Sequence, residues 1–180
     1  MDERIAPVRG ALLMLFWGVV VVYADVRVNG FDLLNDVAGW LLVAVALTRV
    51  RGAHADERFH DRATAALVLA WVATVTAVIH GIDAIGYVYA LLQFVQPLVT
   101  ALALLRLGEV LGAEALRRTW VTTARLFAAA FVATYVVIAV SSGDSGEFLA
   151  LGLAAVAFVV VAAVHYLVSI HRTRSALAEA

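Results

Sequence analysis

Six long apolar runs alternate with short polar stretches along the chain, at residues 7–24, 33–50, 63–79, 84–105, 122–140 and 147–170. Each is close to the ~20 residues that a helix needs to cross a hydrocarbon layer about 30 Å thick. The apolar character runs all round these segments rather than along one stripe, as lipid and bundle packing require. Valine-rich runs of this length read as helix, not strand, and Pro7 suits the first turn of the first helix. The pattern predicts an all-α integral membrane protein: a six-transmembrane-helix bundle of three helical hairpins, forming a single transmembrane domain over residues 1–180.

Composition strengthens that reading. Of 180 residues, 64% are hydrophobic and 15% charged, with a mean hydropathy of +0.95; soluble domains are nearer half apolar and a quarter charged. The absence of cysteine removes disulfides, thiolate metal sites and thiol catalysis together. All 13 basic residues are arginine. Together with the abundance of Ala, Val and Leu, whose codons are GC-rich, this points to a prokaryotic source.

The net charge of −1 matters less than where the charges sit. Arg4 and Arg9 precede the first run, and Arg49, Arg51, Arg58 and Arg62 fill the connection from second to third. Arg106, Arg117, Arg118 and Arg125 lie between or beside the fourth and fifth, and Arg172 and Arg174 follow the sixth. Twelve of the 13 therefore fall on one side, and Arg27 alone on the other. The positive-inside rule then places both termini in the cytoplasm of a multi-pass protein of the cell membrane. The outer turns are acidic, with Asp25, Asp32, Asp36, Asp83, Asp144 and Glu147. Arg4, Arg9, an apolar run and Val22-Tyr23-Ala24 also have the layout of a cleavable signal peptide; the expectation is a retained first helix. The less apolar stretch 106–120 is read as a solvated helical extension, with an amphipathic helix on the inner surface as its alternative.

Three constellations are candidates for chemistry. On the fourth run, Gln93, Gln96 and Thr100 fall at i, i+3 and i+7, so they share one helix face near mid-membrane. Pro97 cannot donate to the Gln93 carbonyl, which therefore needs another partner. Such a stripe can line a solute or ion path, or hydrogen-bond between helices. Trp17 and Trp71, near the centres of their helices, are candidate walls for it. At the outer face, Asp25, Arg27, Asp32 and Asp36 form a charged cluster. Asp32 and Asp36, four apart, suit a cation or a shared proton, although Asp32, Asp83 and Asp144 equally suit helix caps. Gly39 continues the Asp32/Asp36 face and would allow close helix approach. The outer turns echo one another in Asn29-Gly30-Phe31-Asp32, His80-Gly81-Ile82-Asp83 and Gly143-Asp144; the expectation is shared turn chemistry, with a triplicated helical hairpin as its alternative.

The histidines give less. His80 and His165 lie at opposite depths, which argues against a bis-histidine haem; His165 with Ser169 reads as a helix–helix hydrogen bond. His54, Asp56, Glu57 and His60 read as a solvated loop before a metal site. No HExxH, GxSxG or phosphate-cradling glycine loop occurs. No catalytic residue, metal or cofactor is called for, nor nucleic acid.

The segment Val28-Asn29-Gly30-Phe31-Asp32-Leu33-Leu34-Asn35-Asp36, followed by Gly39-Trp40-Leu41-Leu42, resembles a turn in small bacterial multispanning membrane proteins. In those, an (I/V)NG(F/I)D(I/L)LPD motif joins the first two helices. Asn35 stands here for the usual proline and Trp40 for the usual tyrosine. The resemblance covers 25–47 and implies a hairpin between the first two helices, without a function.

The leading expectation is binding or transport of a small solute or ion at the polar midplane, opening toward Asp36. The second is a subunit or scaffold docking partners, another membrane protein or a second copy, at the basic inner face. A membrane enzyme with Asp32 and Asp36 as acid–base pair comes last.

Overall fold

The computed structural model describes residues 2–24, 33–79, 83–140 and 147–179. These form six α-helices: α1 (Asp2–Ala24), α2 (Leu33–Arg51), α3 (Glu57–Ile79), α4 (Asp83–Val110), α5 (Glu114–Val140) and α6 (Glu147–Glu179). All but α2 extend well past the apolar runs at the arginine-bearing end: α1 starts at 2 rather than 7, α5 at 114 rather than 122, and α6 ends at 179 rather than 170. Hydropathy marks only the part of a helix suited to lipid. Ala, Glu, Arg and Leu, which fill the extensions, are good helix formers in water as well.

The stretch 106–120 is not a separate surface helix. It holds the end of α4, a tight turn at 111–113 and the start of α5. Gly112 has φ +66°, the left-handed conformation that ends a helix most readily at glycine. The Ala113 amide bonds the Gly108 carbonyl at 2.9 Å and the Gly112 amide the Glu109 carbonyl at 3.1 Å, the two bonds of a Schellman end.

Each helix packs on its neighbours in sequence, and α1 packs on α6, so the helices close into a ring. Contacts fix their directions. Gly18 meets Gly39 and Met14 meets Arg49, so α1 and α2 are antiparallel. Arg62 of α3 donates to the Leu102 carbonyl of α4 at 3.2 Å. Phe94 of α4 meets Phe131 of α5, and Trp120 of α5 meets Thr173 of α6.

On α3 small residues face in and large apolar ones face out. On α3, Ala63, Ala66, Ala70, Ala73 and Ala77 are all fully buried, while Val68, Trp71, Val75 and Val78 of the same helix stand about half exposed. A helix that packs by small residues and turns valine and tryptophan outward suits hydrocarbon surroundings, where no hydrophobic force drives large side chains inward. At the α1/α2 crossing the backbones touch: a Cβ built on Gly39 would lie 2.9 Å from the Gly18 carbonyl oxygen and 2.9 Å from the Val22 nitrogen. Gly39 thus has the close-approach role expected of it. Among the described residues, four helices, α3 to α6, are long and apolar enough to cross a membrane. α1 contributes the shorter apolar stretch Val8–Tyr23.

The α2–α3 connection is tied to α4. Asp56 caps α3 by accepting from the Phe59 amide at 2.8 Å. Its carboxylate also takes two bonds from Arg106 of α4, at 3.0 and 2.9 Å. The guanidinium, with help from the amide, holds the Asp56 carboxyl down at about 2, well below the usual aspartate value.

Candidate functional site: the inward polar face of α4

Tyr89, Gln93, Gln96 and Thr100 fall at i, i+4, i+7 and i+11 on α4, so they line one face over about 16 Å of helix rise. Gln96 and Thr100 are buried to within 1%. This face meets helices that α4 does not flank in the ring. The Tyr89 hydroxyl bonds to α2, the Gln93 backbone carbonyl accepts from α1, and Thr100 faces Tyr166 of α6. The polar face of α4 therefore points into the ring.

Pro97 is inside α4 and has no N–H for the Gln93 carbonyl. The freed oxygen is satisfied from across the ring, by the Tyr23 hydroxyl of α1 at 2.6 Å. One turn toward the N-terminal end of α4, the Tyr89 hydroxyl donates to Asp36 Oδ2 at 2.6 Å and receives the Trp40 indole N–H at 3.1 Å. A phenol has a single hydrogen, so this chain has one sense: Trp40 to Tyr89 to the carboxylate. Asp36 and Trp40 are one turn apart on α2, and the Gln93 side chain is a further neighbour of the Tyr89 hydroxyl.

Toward the C-terminal end of α4, Gln96 Nε2 donates to Thr100 Oγ1 at 3.0 Å, and the Thr100 hydroxyl donates back to the Gln96 carbonyl at 3.0 Å. Beyond Thr100 stands Tyr166, fully buried and packed edge-on against Trp120 and Phe127. Its hydroxyl lies near Thr100 but makes no well-formed hydrogen bond among the described residues.

A second polar cluster joins α5 to α6. Thr123 Oγ1 meets His165 Nδ1 at 3.0 Å and Ser169 Oγ at 2.9 Å, as the helix–helix reading of His165 and Ser169 expects. The Ser169 hydroxyl also reaches the His165 carbonyl, and the Thr123 hydroxyl reaches that of Thr119. Two hydroxyl hydrogens serve more than two acceptors here. An imidazole carrying its proton on Nδ1 satisfies most contacts and leaves Nε2 as a free base. Next to it, the Trp120 N–H donates to Thr173 Oγ1 at 3.0 Å.

The structure thus brings together Gln93, Gln96, Pro97, Thr100 and Asp36. It does not bring Trp17 or Trp71 to them: these are 55% and 48% exposed and stand on the outside of the ring. Their rotation about the helix axis is not readable from the sequence. Asp25, Arg27, Asp32, His80 and Asp144 lie outside the described residues. His54 and Asp56 serve the α3 N-terminus, the former by accepting the Asp56 amide at 3.0 Å, and no metal-binding group of His, Asp and Glu occurs among the described residues. Tyr89, Trp40, Tyr23 and Tyr166 join the site without being among the candidates that the sequence offers for it. Tyr89 carried a readable signal, since it continues the Gln93/Gln96/Thr100 periodicity by one turn. A cleft of about 330 Å³ also opens between α5 and α6 over Phe94, but apart from Thr134 its walls are apolar and it is no continuation of the polar face.

Fold and site together define an all-helical ring with membrane-suited helices and an inward polar face. No family model, curated protein or solved structure matches the chain.

Proposed function

We propose that the chain spans the cell membrane six times, with both termini cytoplasmic, and takes a small polar solute or an ion into the ring along the polar face of α4. The observation that carries this reading is the row Tyr89, Gln93, Gln96 and Thr100 turned inward over about 16 Å, with Asp36 at its outer end. Buried polar groups are costly in hydrocarbon, and they gather where a polar ligand replaces water. The topology rests on the arginines: Arg9, Arg49, Arg106, Arg117 and Arg174 all lie at the ring end that holds the 52–56 and 111–113 connections. The second role, docking partners on a basic inner face, is weakened by local pairing. Arg106 sits on Asp56 and Glu109, and Arg117 and Arg118 share Glu114.

The natural chain has no cysteine, so a single probe has no background. Gln96→Cys in membranes is expected to react with a water-soluble thiol reagent, and a bound solute to slow that reaction. A cysteine there that stays unreactive in every condition, while the variant folds normally, sinks the solute or ion reading and leaves interhelical bonding as the role of the stripe. Mass spectrometry of small molecules that co-purify with the natural chain would name the ligand.

A further inference from the structure

Charge is unevenly matched around the inner end of the ring. On α4 and α5, Arg106, Arg117 and Arg118 each meet a carboxylate. On α1 and α6, which pack on each other, Arg9 and Arg174 meet none among the described residues. The Nε atom of each is shut off from solvent and has no hydrogen-bond partner there. α2, the other neighbour of α1, adds Arg51 and Arg49; the Arg49 guanidinium donates to the Met14 thioether at 3.2 Å, a weak acceptor.

A guanidinium cannot discharge itself by losing its proton. One whose Nε is buried without an acceptor, on a half-buried side chain, is therefore an incomplete arrangement, and an anion completes it. We propose that the inner ends of α1 and α6 hold a phosphate group, with Arg9 and Arg174 as its main donors and the arginines of α2 nearby. Phosphate suits the set because its several oxygens can take fork-shaped N–H pairs from more than one guanidinium at once. The position also suits it. Arg9 lies at the inner end of the apolar stretch Val8–Tyr23, about 21 Å of helix rise from Tyr23, at the level where lipid headgroups carry their phosphates. The inner-leaflet assignment rests on the membrane topology proposed above; the arginine geometry does not. The phosphate can come from an anionic lipid or from solution.

The test uses the full chain in detergent. Native mass spectrometry compares retention of phosphatidylglycerol with that of phosphatidylcholine, and a thermal-unfolding titration uses inorganic phosphate alone. The natural chain is set against Arg9→Gln/Arg174→Gln and against Arg58→Gln/Arg125→Gln, whose arginines are exposed elsewhere on the ring. The natural chain is expected to prefer phosphatidylglycerol, the first variant to lose that preference by about tenfold or more, and the second to keep it. A response to inorganic phosphate without a lipid preference, again lost in the first variant, supports the phosphate site and names solution as its source. Equal behaviour of the natural chain and the first variant overturns the proposal, as does no response to either probe. If the double variant does not fold, Arg174→Gln alone is expected to show a partial loss, and its absence counts against the proposal. A Gly112→Cys probe labelled from outside the cell would overturn the topology while leaving the detergent result standing, so the two failures are distinct.

Discussion

The Tyr23 hydroxyl is predicted to matter because Pro97 is a proline, and the dependence can be measured. In the natural chain the Gln93 carbonyl has no helical donor, and Tyr23 supplies one at 2.6 Å. Tyr23→Phe removes that bond and leaves a buried carbonyl unsatisfied. Hydrogen bonds between membrane helices average about 0.6 and reach about 1.7 kcal/mol, and an orphaned buried acceptor costs ~1–3 kcal/mol. A loss of about 2–3 kcal/mol is therefore expected. Pro97→Ala restores an N–H at position 97, which can donate to Gln93 within the helix. In that background the orphaning penalty disappears, and Tyr23→Phe should cost only about 0.5–1 kcal/mol, the value of the interhelical bond alone. The coupling between the two sites is then about 1.5–2 kcal/mol, far above what independent sites show. The assay is a double-mutant cycle by reversible unfolding in mixed micelles, with the four proteins compared under one condition. Equal losses on Tyr23→Phe in the natural chain and in the Pro97→Ala background would refute the reasoning, because the tyrosine would then be serving something other than the freed carbonyl.

Two further predictions concern the scaffold. Gly39→Ala puts a methyl 2.6 Å from Val22 Cγ2 and 2.9 Å from backbone atoms of Gly18 and Val22, so α1 and α2 must part; the expected net loss is ~1–2 kcal/mol. Gly10→Ala, with nothing within 4 Å, should instead gain up to about 1 kcal/mol from helix propensity, and the same sign for both would refute the contact argument. Asp56 has its carboxyl held at about 2, so its contribution to stability is present above about pH 4 and is lost as pH falls toward 2. Asp56→Asn, which keeps the cap, should reduce stability near pH 6. The gap from the natural chain should narrow as pH falls from about 4 and close below about pH 2, and a gap of unchanged size there would mean that Arg106 does not draw on the carboxylate charge.

How much of this was legible in the sequence differs from residue to residue. The freed Gln93 carbonyl could be read from Pro97 alone, but its partner could not. Tyr23 is 70 positions away and reaches Gln93 only because the ring sets α1 opposite α4. Gly39 was readable as a point of close approach; Gly18, which it meets, was not. The deeper reason is that a helix apolar on every side carries no periodic signal for its own rotation. The length of the helix comes through, and the inward direction is lost, as for Trp17 and Trp71.

What still marks that direction in such a helix is smallness and polarity, since these cost most when turned to lipid or gain most when turned to a neighbour. On α3 the marker is the alanine row from Ala63 to Ala77, with Trp71 off that row and exposed. On α1 it is Gly18, set against Gly39, with Trp17 one position off that line and also exposed. On α4 the inward face is not small but polar, from Tyr89 to Thr100. Close packing alone would be served by alanine there, as on α3. The exchange of a small face for a polar one on the helix whose inward face meets α1, α2 and α6 is the physical reason to seek the function of the ring on α4.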